Sequence, residues 1–263
     1  MAELPLRILV TNDDGVNAHG IKTLEHIART LSEDVWVVAP ETNNSGAGHS
    51  LTISRPLRVR RIAERHFALD GTPTDCVLVG LQRLITGKPV DLVLSGINHG
   101  GNLADDVTYS GTIAAAMEAT LLGVRAVAMS QVCRNRRRIK WTPAESRAPE
   151  LLRRLAVMDW PRDVLLNVNF PDRSARSIGE VKVTTQGKRK LGDEIVERRD
   201  PRGEPYFWIG AARSESSVKE GTDLWAIEEG HVSVTPIHLD MTHRQSFSRL
   251  EEALRREPRA EPA

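Results

Sequence analysis

The stretch ILVTNDDG, residues 8–15, decides the fold. A short apolar run, Ile8, Leu9 and Val10, stops at two neighbouring carboxylates, Asp13 and Asp14, followed by Gly15. An apolar run of this length bounded by a turn signal reads as a strand buried on both faces. Two adjacent carboxylates repel, and one drifts toward protonation unless a cation neutralises them. The pair is therefore either solvated at a turn or occupied by something positive. In a continuing strand the two side chains would point to opposite faces, but Gly15 permits a sharp turn that aims both at one point.

Working outward, Ile21, Leu24, Ile27, Ala28 and Leu31 recur at helical spacing. VWVVAP, DLVLSGIN, VRAVAMS and VLLNVNFP read as further strands, with a helix beginning near Thr112. Near-continuous apolar strands separated by helices indicate a parallel sheet covered on both faces. GTPTDCV predicts a helix capped by Thr72 with Pro73 at its first position, and WTPAES predicts another in which Glu145 completes a capping box onto Thr142. The fold class is α/β, a doubly wound core over residues 1–177. Residues 178–263 read as an appended element, not an independent domain: antiparallel hairpins from about 178 to 236, a strand in GHVSVTPIHLDMT, a terminal helix in SFSRLEEALRRE and a frayed tail in PRAEPA.

Composition narrows the class. The 263 residues carry 36 Lys and Arg against 35 Asp and Glu, so overall charge selects no nucleic-acid partner. RNRRRIK lacks interleaved aromatics and reads as a solvated loop, so no nucleic-acid polymer is expected. Two cysteines, Cys76 and Cys133, without a Cys-x-x-Cys motif suit free thiols in a reducing compartment. MAELPLRILV has no basic segment leading into a long apolar one, and no apolar run reaches the ~18 residues of a bilayer span. A cytoplasmic protein without a membrane partner is the expectation.

Ligands of open parallel sheets bind outside the carboxyl ends of the strands. Four polar stretches fall there: TNDDG, ETNNSGAGHS, SGINHGGN and YSGT. Asp13 and Asp14 offer oxygen ligands of the kind that hold Mg²⁺ or Mn²⁺, and Asn98 could add a neutral oxygen. Asn43, Asn44 and Ser45 offer polar side chains, and Gly46 and Gly48 let backbone approach a ligand. Ser110, Gly111 and Thr112 open a helix whose free N–H groups attract anions, phosphate above all. His49 and His99 lie on the same rim as candidates for proton transfer. A P-loop, a dinucleotide fingerprint, paired zinc-type histidines and a Gly-x-Ser-x-Gly elbow are all missing from the sequence.

The strings ILVTNDDG, APETNNSGAGHSLT, GTPTDCV, LVLSGINHGGNLADDVTYSGTIAAAMEA and EGHVSVTPIHLDMT resemble, in order and spacing, the SurE family of stationary-phase survival proteins. The likeness spans about residues 7 to 242. It implies a Rossmann-like core and a C-terminal hairpin and tail exchanged between subunits of a dimer or tetramer. It also implies one divalent cation held by Asp13, Asp14, Ser45 and Asn98, with Asp13, Asp14 and Asn98 catalytic. Phosphate would be held by Asn44, Gly46, Asn102, Ser110, Gly111 and Thr112. The implied activity is hydrolysis of nucleoside 5'-monophosphates, extending in many members to 3'-nucleotides and short polyphosphate. Gly101 stands where several relatives have proline.

The mechanism expected on this basis is metal-assisted phosphomonoester hydrolysis. An aspartyl-phosphate route is disfavoured, because dehalogenase-type sites space their aspartates Asp-x-Asp. A signalling receiver needs an acceptor aspartate at the end of the third parallel strand, where this chain has SGIN. The remaining rival is a nucleotide- or phosphate-sensing module that binds without turnover.

Overall fold

Strand β1 (Ile8–Thr11) is buried along its whole length, and its side chains alternate between two apolar layers. Ile8 and Val10 enter one, and Leu9 enters the other. The computed structural model describes residues 6–134, 138–191, 195–209, 213–215 and 218–255. After β1 come α1 (His19–Arg29), β2 (Val35–Pro40), β3 (Val59–Ala63), β4 (His66–Leu69) and α2 (Pro73–Val79). Then follow β5 (Leu92–His99), a 3₁₀ turn (Ala104–Tyr109), α3 (Gly111–Leu121), β6 (Arg125–Gln131), α4 (Thr142–Val157) and β7 (Val164–Phe170). The last third holds β8 (Val181–Val183), β9 (Arg189–Leu191), β10 (Ile195–Arg199), β11 (Pro205–Ile209), β12 (Arg213–Glu215), α5 (Asp223–Glu228), β13 (Val232–His238) and α6 (Phe247–Arg255).

Nine strands form one sheet in the order β3-β4-β2-β1-β5-β6-β7-β13-β8. From β4 to β7 every pairing is parallel. The chain leaves β1 toward β2 and β4, then returns to place β5 on the other side of β1. The crevice beyond the carboxyl ends of β1 and β5 is thus the topological switch point, the usual ligand position in a doubly wound sheet. α1 turns Ile21, Leu24, Ile27 and Ala28 into one layer, shared with Ala148 and Leu152 of α4. α2 and α3 close the other, through Cys76, Val77, Ile113 and Ala116. The expected α/β core, covered on both faces, is present.

Several local expectations need correcting. Thr72 caps α2 as expected, with Asp75 as the reciprocal partner. Thr142 does not cap α4: the helix starts at that residue after Trp141, without a side-chain cap. Tertiary contacts supply the missing partner, since Ala144 N–H donates to Gln131 Oε1 at 3.2 Å. In the 178–236 segment, β10–β11 and β9–β12 are antiparallel pairs. β8 instead joins the main sheet parallel to β13, whose outward strand it covers. The β3–β4 hairpin was not foreseen, because β3 is exposed throughout and carries Arg60 and Arg61, charges that protect a sheet edge. Residues 135–137 of the basic run and the PRAEPA tail lie outside the described residues.

Candidate functional site

Past β1 the chain turns at Gly15, whose φ of +101° suits glycine. Asn12 steadies the turn by donating to the Gly15 carbonyl at 3.0 Å. The turn separates the two carboxylates. Asp13 is 3% exposed and lines a cavity of about 190 Å³. Asp14 is half-buried beside it, and its Oδ2 accepts the His99 backbone N–H at 3.1 Å, tying the β1 loop to the end of β5.

Asp13 abuts the start of α3. Thr112 Oγ1 donates to Asp13 Oδ1 at 2.6 Å. A Cβ on Gly111 would lie 2.7 Å from Asp13 Cβ, so only glycine lets the helix start come this close. Burial pushes the Asp13 carboxyl up from 3.8 to about 6, opposed by the Thr112 hydroxyl and reinforced by Asp14. Burial also raises Asp14, opposed by the His99 N–H.

Asp13, Ser45, Gly46, Asn98, His99, Asn102 and Ser110 all line the one cavity. Asn98 Nδ2 donates to the Gly100 carbonyl at 2.9 Å, which fixes the amide with its oxygen available. The second loop is held in place by Asn44 N–H donating to the Asp13 carbonyl at 2.8 Å. Asn44 Nδ2 turns back to the Thr42 carbonyl. Asp14, Asn44, Gly111 and Thr112 form no part of the cavity wall; the Thr112 backbone N–H, like its hydroxyl, is spent on the Asp13 carboxylate. His49 does not reach the wall either: its Nε2 lies 3.0 Å from Glu118 Oε2 on α3.

Sequence reasoning missed the support beneath Asn102. Its N–H donates to Asn169 Oδ1 at 2.9 Å, and its carbonyl accepts from Asn167 and Asn169 at 2.9 and 3.1 Å. Its own amide donates to Ser130 Oγ at 2.8 Å. The available signal was two asparagines at alternate positions of an otherwise apolar strand, VLLNVNF; buried amides require partners. Asp106 and Tyr109 also line the cavity, from the 3₁₀ turn. Asp106 Oδ2 meets Arg189 Nη2 at 2.5 Å, with both side chains under 10% exposed. A second acidic pair, Asp105 and Asp106 in NLADDV, was the clue.

Among the described residues no three His, Cys, Asp or Glu side chains cluster as a metal set. Two carboxylates supplemented by hydroxyl and amide oxygens make an all-oxygen donor set, which fits a hard divalent cation and not zinc. The buried, upward-shifted Asp13 fits as well, since a cation there would relieve both desolvation and like-charge repulsion.

Fold and crevice together define a doubly wound α/β protein with a polar cavity at the sheet's switch point, lined from the loops after β1, β2 and β5 and from the approach to α3. Within that class the chain belongs to the SurE family, whose model, described as survival protein SurE, matches residues 8–193. It is 60% identical over 248 residues to the 5'-nucleotidase SurE of Paramagnetospirillum magneticum, covering 94% of this chain and 95% of that one. It is 55% identical over 252 residues to the 5'-nucleotidase SurE of Brucella canis, covering 95% and 98%. The crystal structure of the SurE protein from Aquifex aeolicus superposes with a TM-score of 0.83 at 40% identity, over 94% of this chain and 99% of that one.

Proposed function

We propose that this protein is a divalent-metal-dependent phosphomonoesterase that releases phosphate from nucleoside 5'-monophosphates. The observation that carries the reading is one cavity lined together by Asp13, Ser45, Asn98, Asn102 and Ser110. The 5'-nucleotidase names of relatives at 55–60% identity support it. Asp13, Asp14, Ser45 and Asn98 would hold one Mg²⁺ or Mn²⁺, with Asp13, Asp14 and Asn98 essential to catalysis. When bound, the cation supplies charge neutralisation at the phosphoryl oxygens and acidifies a water.

The protein's own groups do the rest. Ser110 and Asn102, which line the cavity, would orient the phosphoryl group by hydrogen bonds, while Gly111 and Thr112 hold Asp13 beside it. Gly46 lines the cavity on the loop that Asn44 pins to Asp13, and both would help to hold the phosphate. His99 is the group we assign to protonate the leaving 5'-oxygen, because its side chain lines the cavity while His49 is engaged by Glu118.

Further parts of the reading concern the whole molecule. Residues 178–263 act in assembly as a dimer or tetramer, consistent with Ile195, Tyr206, Phe207, Trp208 and Ile209 being exposed on β10 and β11. Cys76 and Cys133 are not in disulfides, which is consistent with the cytoplasm. No helix among the described residues is long and apolar enough to cross a membrane.

The test is phosphate release from a panel of 5'- and 3'-nucleoside monophosphates and short polyphosphate, with Mg²⁺ or Mn²⁺ and with EDTA. Metal-dependent release from 5'-monophosphates is expected. Nucleotide binding without release under any metal would make the protein a sensing module instead.

A further inference from the structure

Next to the phosphate-sized cavity lies a second one, of about 270 Å³. The two share Gly100 and Gly101 in their walls. Together they reach the ~300–1,000 Å³ usual for a small-molecule site. The floor of the second cavity is apolar, formed by Leu103, Val132, Val218, Leu224 and Ile227. Its rim carries Arg134, Arg173 and Arg189 with Asp172 and Glu228.

The three arginines suggest an anion seat at first sight, but their bonding argues otherwise. Arg189 is paired with Asp106, and Arg173 Nη2 donates to the Glu228 carbonyl at 2.9 Å. Asp172 accepts from Lys140 Nζ and from the Arg134 backbone N–H, both at 3.0 Å. Two guanidiniums are thus engaged by protein oxygens, and two carboxylates on the same rim oppose a phosphate chain. An apolar floor with a mixed polar rim suits a flat heterocycle and its sugar.

We propose that this second cavity is the seat of the substrate's nucleoside, entered across Gly100 and Gly101 while the phosphate occupies the neighbouring cavity. The proposal rests on the phosphomonoesterase reading and deepens it by locating the leaving group. Gly101 matters here: a Cβ at this position would lie 2.7 Å from Val132 Cγ2, on the ridge between the two cavities.

Cys133 lines the second cavity and is half-buried, whereas Cys76 is fully buried with its thiol pushed well up by desolvation. Alkylation of Cys133, followed by mass spectrometry, therefore reports occupancy independently of turnover. With adenosine at ten times its dissociation constant, Cys133 should be alkylated about tenfold more slowly. Ethyl phosphate and inorganic tripolyphosphate should leave the rate unchanged. Protection by tripolyphosphate but not by adenosine would overturn the proposal in favour of a phosphate-chain site.

A second measurement uses Ile227→Trp, which fills the cavity from α5. Its kcat/KM should fall at least ~10-fold for AMP and change less than about twofold for ethyl phosphate. Parallel losses on both esters, or no loss on either, would refute the assignment. Failure of the parent protein to hydrolyse either ester would instead sink the enzyme reading, so the two failures are distinguishable.

Discussion

Asp13 is held in the folded protein at a cost that only a bound cation removes, and that makes a counter-intuitive prediction. In EDTA at pH 7.5, Asp13→Asn should be more stable than the parent. A carboxyl displaced from 3.8 to about 6 destabilises the folded state by roughly 3 kcal/mol once ionised. Asparagine keeps an acceptor for the Thr112 hydroxyl, 2.6 Å away in the parent, but brings an amide N–H₂ that needs a partner. A net gain of about 2 kcal/mol remains, worth roughly 4–8 °C in Tm for a chain of this size. The pH dependence follows from a folded-state pKa above the unfolded one. Below 3.8 the carboxyl is protonated in both states and there is no penalty. The penalty grows as pH rises toward about 6 and is constant beyond. The advantage of the variant should therefore vanish near pH 4. With Mg²⁺ or Mn²⁺ at 100 times its dissociation constant, the parent gains about 2.7 kcal/mol and the order reverses. The same variant should lose at least ~10²-fold in kcat. Differential scanning fluorimetry across pH, with EDTA and with metal, checks each step. A variant no more stable than the parent in EDTA at pH 7.5 refutes the reasoning.

Gly111→Ala should lower kcat at least ~10-fold while circular dichroism stays unchanged, because its methyl would lie 2.7 Å from Asp13 Cβ and force that side chain aside; normal turnover would show that this approach is unimportant. Arg189→Met leaves the buried Asp106 carboxylate without its guanidinium and should cost about 3–5 kcal/mol in urea unfolding. Adding Asp106→Asn should restore at least half of that loss, and strictly additive losses would refute the coupling. Replacing the exposed Phe207 and Trp208 with serine should reduce the molar mass measured by light scattering, and an unchanged mass would remove the hairpin from the assembly interface.

The sheet was legible because its central strands obey a simple physical rule. Ile8 to Val10 and Leu92 to Leu94 are buried on both faces, so their sequences are continuously apolar and need no alternation to be recognised. Where a strand lies at an edge, that signal disappears. β3 consists of Val-Arg-Arg-Ile-Ala with every residue exposed, and its identity as a strand comes from pairing with β4, which no local pattern encodes. The cap at Thr142 failed for a related reason. Whether a helix needs a side-chain cap depends on what else reaches its first amides, and Gln131 comes from a different element.

The site divides along the same line. Residues that line the cavity, such as Asp13, Ser45 and Asn98, were readable from type and from their place after the strands. Residues that act on other residues were not. Thr112 reads as part of a helix start whose N–H groups draw phosphate, yet its hydroxyl faces Asp13, 99 residues earlier in the chain. Gly111 reads as part of the same helix start, and its missing Cβ is room for Asp13. Asn167 and Asn169 sit in VLLNVNFP, which reads simply as a strand, and their amides clamp the Asn102 carbonyl. These contacts share one consequence. Asp13 and Asn102 both line the cavity, and each is fixed by a distant element, α3 for Asp13 and β7 for Asn102. Their separation is therefore set by how α3 packs on the sheet next to β7, not by the flexibility of either loop. A cation and a phosphate held at a fixed separation require rigidity of this kind, and it resides in core residues that carry no reactive group.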